Sequence, residues 1–193
     1  DAHQYAAMGA SRAHRGAVFE EALRVIRALF DGETVSSERF GFTDVSIGLV
    51  PPRPVDWWVG TMSTPGLRRA GRMGAAWYAS PFATLATLPP LLSEYREACE
   101  RSAASPKVML RRDVLILADG DRARRLLAER LASGYRGLGA EHVVAGTPAE
   151  AAEQLAPFAA LGVDQIVVRT MGISRDTDLE TIRSVAEVKN LLT

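Results

Sequence analysis

A single cysteine, Cys99, leaves no possibility of a disulfide within the chain and suits a reducing, cytoplasmic setting. Net charge is missing as well: 23 Lys and Arg offset 23 Asp and Glu, so no field draws the chain toward nucleic acid or an anionic membrane. No apolar run approaches the length of a membrane span, and no basic-then-apolar signal opens the sequence. His3, His14 and His142 are scattered without metal-ligand spacing, so no metal site is expected. There is also no G-x-G-x-x-G turn, which counts against an open dinucleotide-binding sheet. Nucleic-acid, membrane and metal functions are thereby set aside.

What is present is ordinary globular composition, 47% apolar and 24% charged, in a chain of 193 residues that can bury one sizeable core. Val18, Ala22, Val25, Ile26 and Leu29 recur at three- and four-residue spacing and predict a helix over 16–30, stopped by Asp31-Gly32. Residues 33–54 have no helical period and five Gly or Pro; they read as an irregular excursion, with a short β pair near Val35 and Phe42. From Trp57 onward short apolar strands alternate with amphipathic helices. Strands are expected at Trp57–Gly60, Ala75–Ala79, Asp113–Ala118 and Ile166–Arg169. Helices are expected at about 65–73, after Pro89-Pro90, at 122–132, from Thr147 to Leu161, and from Thr177 to about Leu192. Thr147-Pro148-Ala149-Glu150 has the spacing of a capping box with proline at the first helical position.

This rhythm means a parallel sheet covered by helices. Four strands are half of what an eight-stranded barrel of roughly 250 residues requires. The expected fold is therefore α/β, the C-terminal half of a (β/α)8 TIM barrel, with residues 1–193 forming a single partial domain. The polar start at Asp1 and the four-strand count lead to the expectation that a longer polypeptide supplies the other strands. Open parallel edges also favour self-association, so a homo-oligomer is expected.

The chemistry concentrates in the stretch Trp58–Gly74. There a strand ends at Gly60, and Thr61, Met62, Ser63 and Thr64 lead directly into a helix. Helix starts expose N–H groups and partial positive charge, which suit a phosphate. Ser63 and Thr64 add hydroxyl donors, and Gly60 admits a close backbone approach. The same hydroxyls also suit a plain helix cap, and the two roles are compatible. Tyr78 and Ser80 end the next strand and Arg169 ends the last, at the barrel face where active sites gather; either pocket or core placement fits them. For Arg15 two roles compete, a reach toward the phosphate and an ion pair with Glu20 or Glu21.

The order of these segments resembles the C-terminal half of the bacterial luciferase-like flavin monooxygenase and deazaflavin-dependent oxidoreductase superfamily. Tyr5-Ala6-Ala7-Met8-Gly9 followed by Arg15 and Glu21 is similar to that family's approach to its middle helix. Pro51-Pro52-Arg53-Pro54 and the Trp57–Gly60 strand resemble its proline-rich lead into a strand ending in Gly-Gly. Gly162–Arg169 resembles its final strand, and Ser63 falls where the family often has a serine on the flavin phosphate. Three departures stand out: Thr61 in place of the second glycine, Ala75-Ala76-Trp77 in place of Asp-Gly-Trp, and Lys189-Asn190 where a proline is customary.

The resemblance implies an oxidoreductase holding reduced FMN or a deazaflavin at Gly60, Thr61, Met62, Ser63, Thr64 and Arg15. A small organic substrate would meet Tyr78, Ser80 and Arg169. With FMN it implies monooxygenation, served by a separate flavin reductase; with a deazaflavin, hydride transfer. Thr61 and Ala75 keep open a third reading, a non-catalytic flavin-binding or degenerate barrel subunit.

Overall fold

A computed structural model describes residues 2–192, and the chain divides into two compact units, one up to Asp56 and one from Trp57. The first unit holds helices α1 (Ala2–Ala7) and α2 (Arg15–Phe30) and the antiparallel pair β1 (Val35–Ser37) and β2 (Phe42–Val45). The expected β pair inside the 33–54 excursion is thus present. Gly32, at φ +82°, lets the backbone turn out of α2, and the Glu33 N–H returns to the Ala28 carbonyl at 2.9 Å. Helix and hairpin are joined by Glu21, whose carboxylate accepts from the Ser37 hydroxyl at 2.8 Å and from Arg24 at 2.8 and 2.9 Å.

The second unit contains β3 (Trp58–Gly60), α3 (Thr64–Arg72), β4 (Ala76–Ala79), α4 (Leu88–Arg101), β5 (Val108–Ile116) and α5 (Gly120–Ala132). It continues with β6 (Val143–Gly146), α6 (Pro148–Ala160), β7 (Gln165–Thr170) and α7 (Arg175–Leu192). Every pairing among β3 to β7 is parallel. Five strands are present where the sequence suggests four. β6 is hidden in His142–Thr147 because four apolar residues before a helix cap carry too little pattern to separate strand from loop. β5 begins at Val108, five residues earlier than expected, because Arg111 and Arg112 interrupt its apolar run.

β5 is long enough to serve three partners. Val108–Leu110 pair with β4, Asp113–Ile116 with β6, and Met109–Val114 with β7. A residue has one neighbour per edge, so β4 and β6 share one edge of β5 and β7 takes the other. The barrel-like path is therefore β3-β4-β5-β7, the four strands legible in the sequence, with β6 as a short addition beside the far half of β5.

This arrangement decides which face each helix covers. Parallel crossovers are right-handed, so a step in the reverse direction puts its helix on the opposite face. The step from β4 to β5 and that from β6 to β7 run one way; β5 to β6 runs back. Accordingly α4 and α6 lie on one face: Tyr95 packs on Trp77 at 5.9 Å, and Phe158 lies under Arg112. α5 lies on the other, where Ala123, Tyr135 and Leu138 form a core with Leu115, Leu117, Val143 and Ala145. Cys99 is a buried residue of α4, as a small core residue should be. No described helix is long and apolar enough to cross a membrane.

Candidate cofactor site at the start of the third helix

The loop from Gly60 to Thr64 is fixed from beneath. Trp77, fully buried in β4, donates its indole N–H to the Thr61 carbonyl at 2.8 Å. Trp77 is itself held against Tyr95, whose hydroxyl bridges the Ala75 and Lys107 carbonyls at 3.0 and 3.2 Å. Burial pushes the Tyr95 phenol up to about 12, so it remains a donor at any ordinary pH. A backbone carbonyl held by a buried indole cannot drift, and Thr61 is placed accordingly.

Above that anchor the hydroxyls close on the helix start. Ser63 is the N-cap, in extended conformation, and accepts from the Gly66 N–H at 3.3 Å. The Thr61 hydroxyl accepts from the Ser63 N–H at 3.2 Å and lies 3.3 Å from the Ser63 hydroxyl. Gly66 makes room for both: a Cβ there would fall 2.8 Å from Thr61 Cβ and 3.0 Å from Ser63 Oγ. Thr61 therefore turns its side chain down onto the helix end.

A donor count shows what remains. Pro65 has no N–H, the Gly66 and Ser63 N–H groups go to the hydroxyls, and the Leu67 N–H goes to the Ser63 carbonyl at 2.9 Å. The Thr61 and Ser63 hydroxyls own two protons and consume one between them, which leaves one to give. Together with the Thr64 N–H and hydroxyl, this is a donor set that fits a phosphate oxygen at a helix N-terminus. Gly60 adds an open approach: a Cβ there would meet nothing closer than the Tyr78 ring at 3.9 Å, so neighbouring packing does not demand a glycine.

The other candidates fall as follows. Met62 is half-buried in the same loop. Gly60 and Tyr78 are register partners, which puts them on one face of the sheet, and Tyr78 stacks on the exposed Trp58 at 6.0 Å. Ser80 turns its hydroxyl to the Phe82 N–H at 3.3 Å, shaping the loop after β4. Arg169 is exposed on β7 and pairs in register with Asp113. Arg15 belongs to the first unit and donates to the Arg12 carbonyl at 2.8 Å; the carboxylate of Glu21 goes to Arg24. Among the described residues no group of His, Cys, Asp and Glu could hold a metal ion.

A second polar cluster escaped the sequence reading. Asp113, shut off from water, accepts from Arg111 at 2.9 and 3.3 Å and from the Tyr135 phenol at 2.8 Å. Burial and the Asp113 carboxylate both raise the Tyr135 phenol, and the nearby Arg169 opposes them. The signal for it was an arginine two residues before an aspartate within a strand, a spacing that puts both on one face.

Known proteins with this architecture include monooxygenases and F420-dependent enzymes by their descriptions. The monooxygenase RslO1 from Streptomyces bottropensis superposes with a TM-score of 0.81 at 19% identity, over 95% of this chain and 63% of its own. An F420-dependent secondary alcohol dehydrogenase, in complex with an F420-acetone adduct, gives 0.72 at 16% identity, over 92% and 63%. The oxygenating constituent of 3,6-diketocamphane monooxygenase from Pseudomonas putida, in complex with FMN, gives 0.52 at 18%, over 68% and 45%. The chain thus spans less than two thirds of the length of these proteins. No curated protein matches it in sequence. The family model for luciferase-like monooxygenases matches residues 1–138, and the chain belongs to that family.

Proposed function

We propose that the chain carries the cofactor-phosphate site of an oxidoreductase that uses reduced FMN to oxygenate a small organic substrate. The observation that carries this reading is the paired Thr61 and Ser63 hydroxyls at the start of α3, with one proton and the Thr64 N–H left to donate. The open approach over Gly60 supports it. The phosphate of the cofactor would rest on Ser63 and Thr64, and its ring system would extend along the face of Gly60 and Tyr78. Bound there, the cofactor would supply the redox chemistry, while the chain positions it and shapes the pocket. Tyr78, Ser80 and Arg169 are the candidate substrate contacts, a separate flavin reductase is the expected electron source, and the assembly is a homo-oligomer. Likeness to the F420-dependent dehydrogenase favours a second reading, hydride transfer with a deazaflavin at the same loop. The third, a non-catalytic flavin-binding or degenerate barrel subunit, draws on Thr61 and Ala75.

Fluorescence titration of the complete barrel with FMN and with a deazaflavin, oxidised and reduced, separates the two cofactor readings; binding of neither favours a degenerate barrel subunit. Two variants test the site. Ser63→Ala should weaken cofactor binding roughly ten- to a hundredfold, the loss of a hydrogen bond to a charged group worth about 1.5–3 kcal/mol. Ser63→Asp keeps a good helix cap but sets a negative charge against the phosphate. It should lose binding without a fall in melting temperature. Unchanged affinity in Ser63→Asp would reduce Ser63 to a cap.

A further inference from the structure

The face of the sheet covered by α6 carries a groove of about 420 Å³ that the cofactor site does not use. Its walls are the loop after β4 (Thr84, Leu85 and Ala86), β6 (Val143 and Val144) and α6 (Pro157 and Phe158). All of these belong to the second unit. At its floor is Arg112, 1% exposed.

The charge of Arg112 is unusual for its burial. Three of its five N–H groups go to backbone carbonyls: Pro81 at 3.0 Å, Arg111 at 3.1 Å, and Ala83. Its guanidinium carbon lies 4.4 Å from the centroid of the Phe158 ring. No carboxylate among the described residues pairs with it. Asp113, the next residue, faces the other side of the sheet and is taken by Arg111 and Tyr135. Gln154, also in the lining, is spent on the Ala145 and Glu150 carbonyls at 3.0 Å each. Glu141, the acidic residue of the lining, is exposed and forms no ion pair with Arg112; the neighbouring His142 Nδ1 accepts from the Gly139 N–H at 3.0 Å. Burial lowers the Arg112 guanidinium to about 10, and the weaker pull of the Asp113 carboxylate across the strand only partly opposes it. A buried cation normally acquires an anion, because desolvation otherwise goes uncompensated.

We propose that this groove binds an amphipathic monoanion, a carboxylate on a short apolar body, with its head on Arg112. Two N–H groups of the guanidinium remain for the carboxylate, a pairing that its planar fork favours. The body lies along Phe158, Pro157, Leu85 and Val144. The size and mostly apolar walls are those of a small-molecule site with one orienting polar group. Because the same guanidinium holds the Pro81 and Ala83 carbonyls, occupancy also bears on the loop that begins at Ser80.

Calorimetric titration of the 193-residue chain with octanoate and with its neutral analogue octanamide tests this. Octanoate should bind saturably and at least about tenfold more tightly than the amide, and Arg112→Met should erase that preference. Arg112 also supports the fold, so a second variant is needed. Ala140→Trp changes an exposed residue of the lining and should block octanoate while leaving the melting temperature unchanged. Equal affinity for acid and amide, undiminished octanoate binding in Ala140→Trp, or no saturable binding of octanoate would each overturn the proposal.

Discussion

Arg112 and Asp113 are consecutive in β5 and equally shut off from water, yet their charges are settled in opposite ways. Asp113 is met by a guanidinium and a phenol, so its face of the sheet holds a closed ionic cluster. Arg112 is met by neutral carbonyls and an aromatic ring, so its face holds a positive charge with groove space beside it. Strand alternation alone separates the two: the side chains leave the backbone in opposite directions, and neither can satisfy the other. Burial of a charge thus says little until its partners are counted.

The largest expected effect is on the Asp113 side. Asp113→Ala strands Arg111 and the Tyr135 phenol, and should lower the unfolding free energy by about 3–5 kcal/mol in urea titrations. A loss under about 1 kcal/mol would mean that water reaches the cluster and that the two faces are less different than described. Arg112→Met should cost less, about 1–2 kcal/mol. It removes donors from the Pro81 and Ala83 carbonyls and a cation from Phe158, but leaves no opposite charge behind. If it proved as damaging as Asp113→Ala, the contrast would fail. The double variant Arg111→Met with Asp113→Leu should be less destabilised than Asp113→Ala alone, because an apolar pair can replace a buried ion pair at little cost.

The smallest effect concerns a half-buried counterpart, Glu21 in the first unit. Hydrogen bonds from Arg24 and then Ser37 hold its carboxyl at about 2 against an ordinary 4.5. A depressed folded-state value contributes stability above the ordinary value and loses it as pH falls from about 4.5 toward 2. Glu21→Gln should therefore flatten that part of the acid-unfolding profile of the first unit, with little change at neutral pH. A profile of unchanged slope would place the Arg24 and Ser37 contacts among those that water replaces without loss.

The same contrast explains what the sequence could and could not tell. The four strands of the main path and the helices between them were legible because apolar periodicity and caps are local. Ser63 was legible for the same reason, since a helix start after a strand is a sequence event. Arg112 and Asp113 were not, because two charges inside an apolar run shorten the apparent strand rather than announce burial. Trp77 as anchor of the Thr61 carbonyl depends on the register between β3 and β4, which no window of residues contains. β6 was missed because its partner lies thirty residues upstream in β5. Gly66 carried a readable signal, a glycine in the first turn of a helix, but its purpose depends on where Thr61 folds.

β7 pairs with β5 over six register positions without help from β6. The segment from Asp119 to Gly146 is therefore not needed for that pairing, but it covers Leu115 and Leu117 with Ala123, Tyr135, Leu138, Val143 and Ala145. Within it, the Tyr135 phenol is tied to Asp113. Changes should thus be tolerated at its exposed turn, Ser133 and Gly134, provided that the buried residues and a donor for Asp113 are kept.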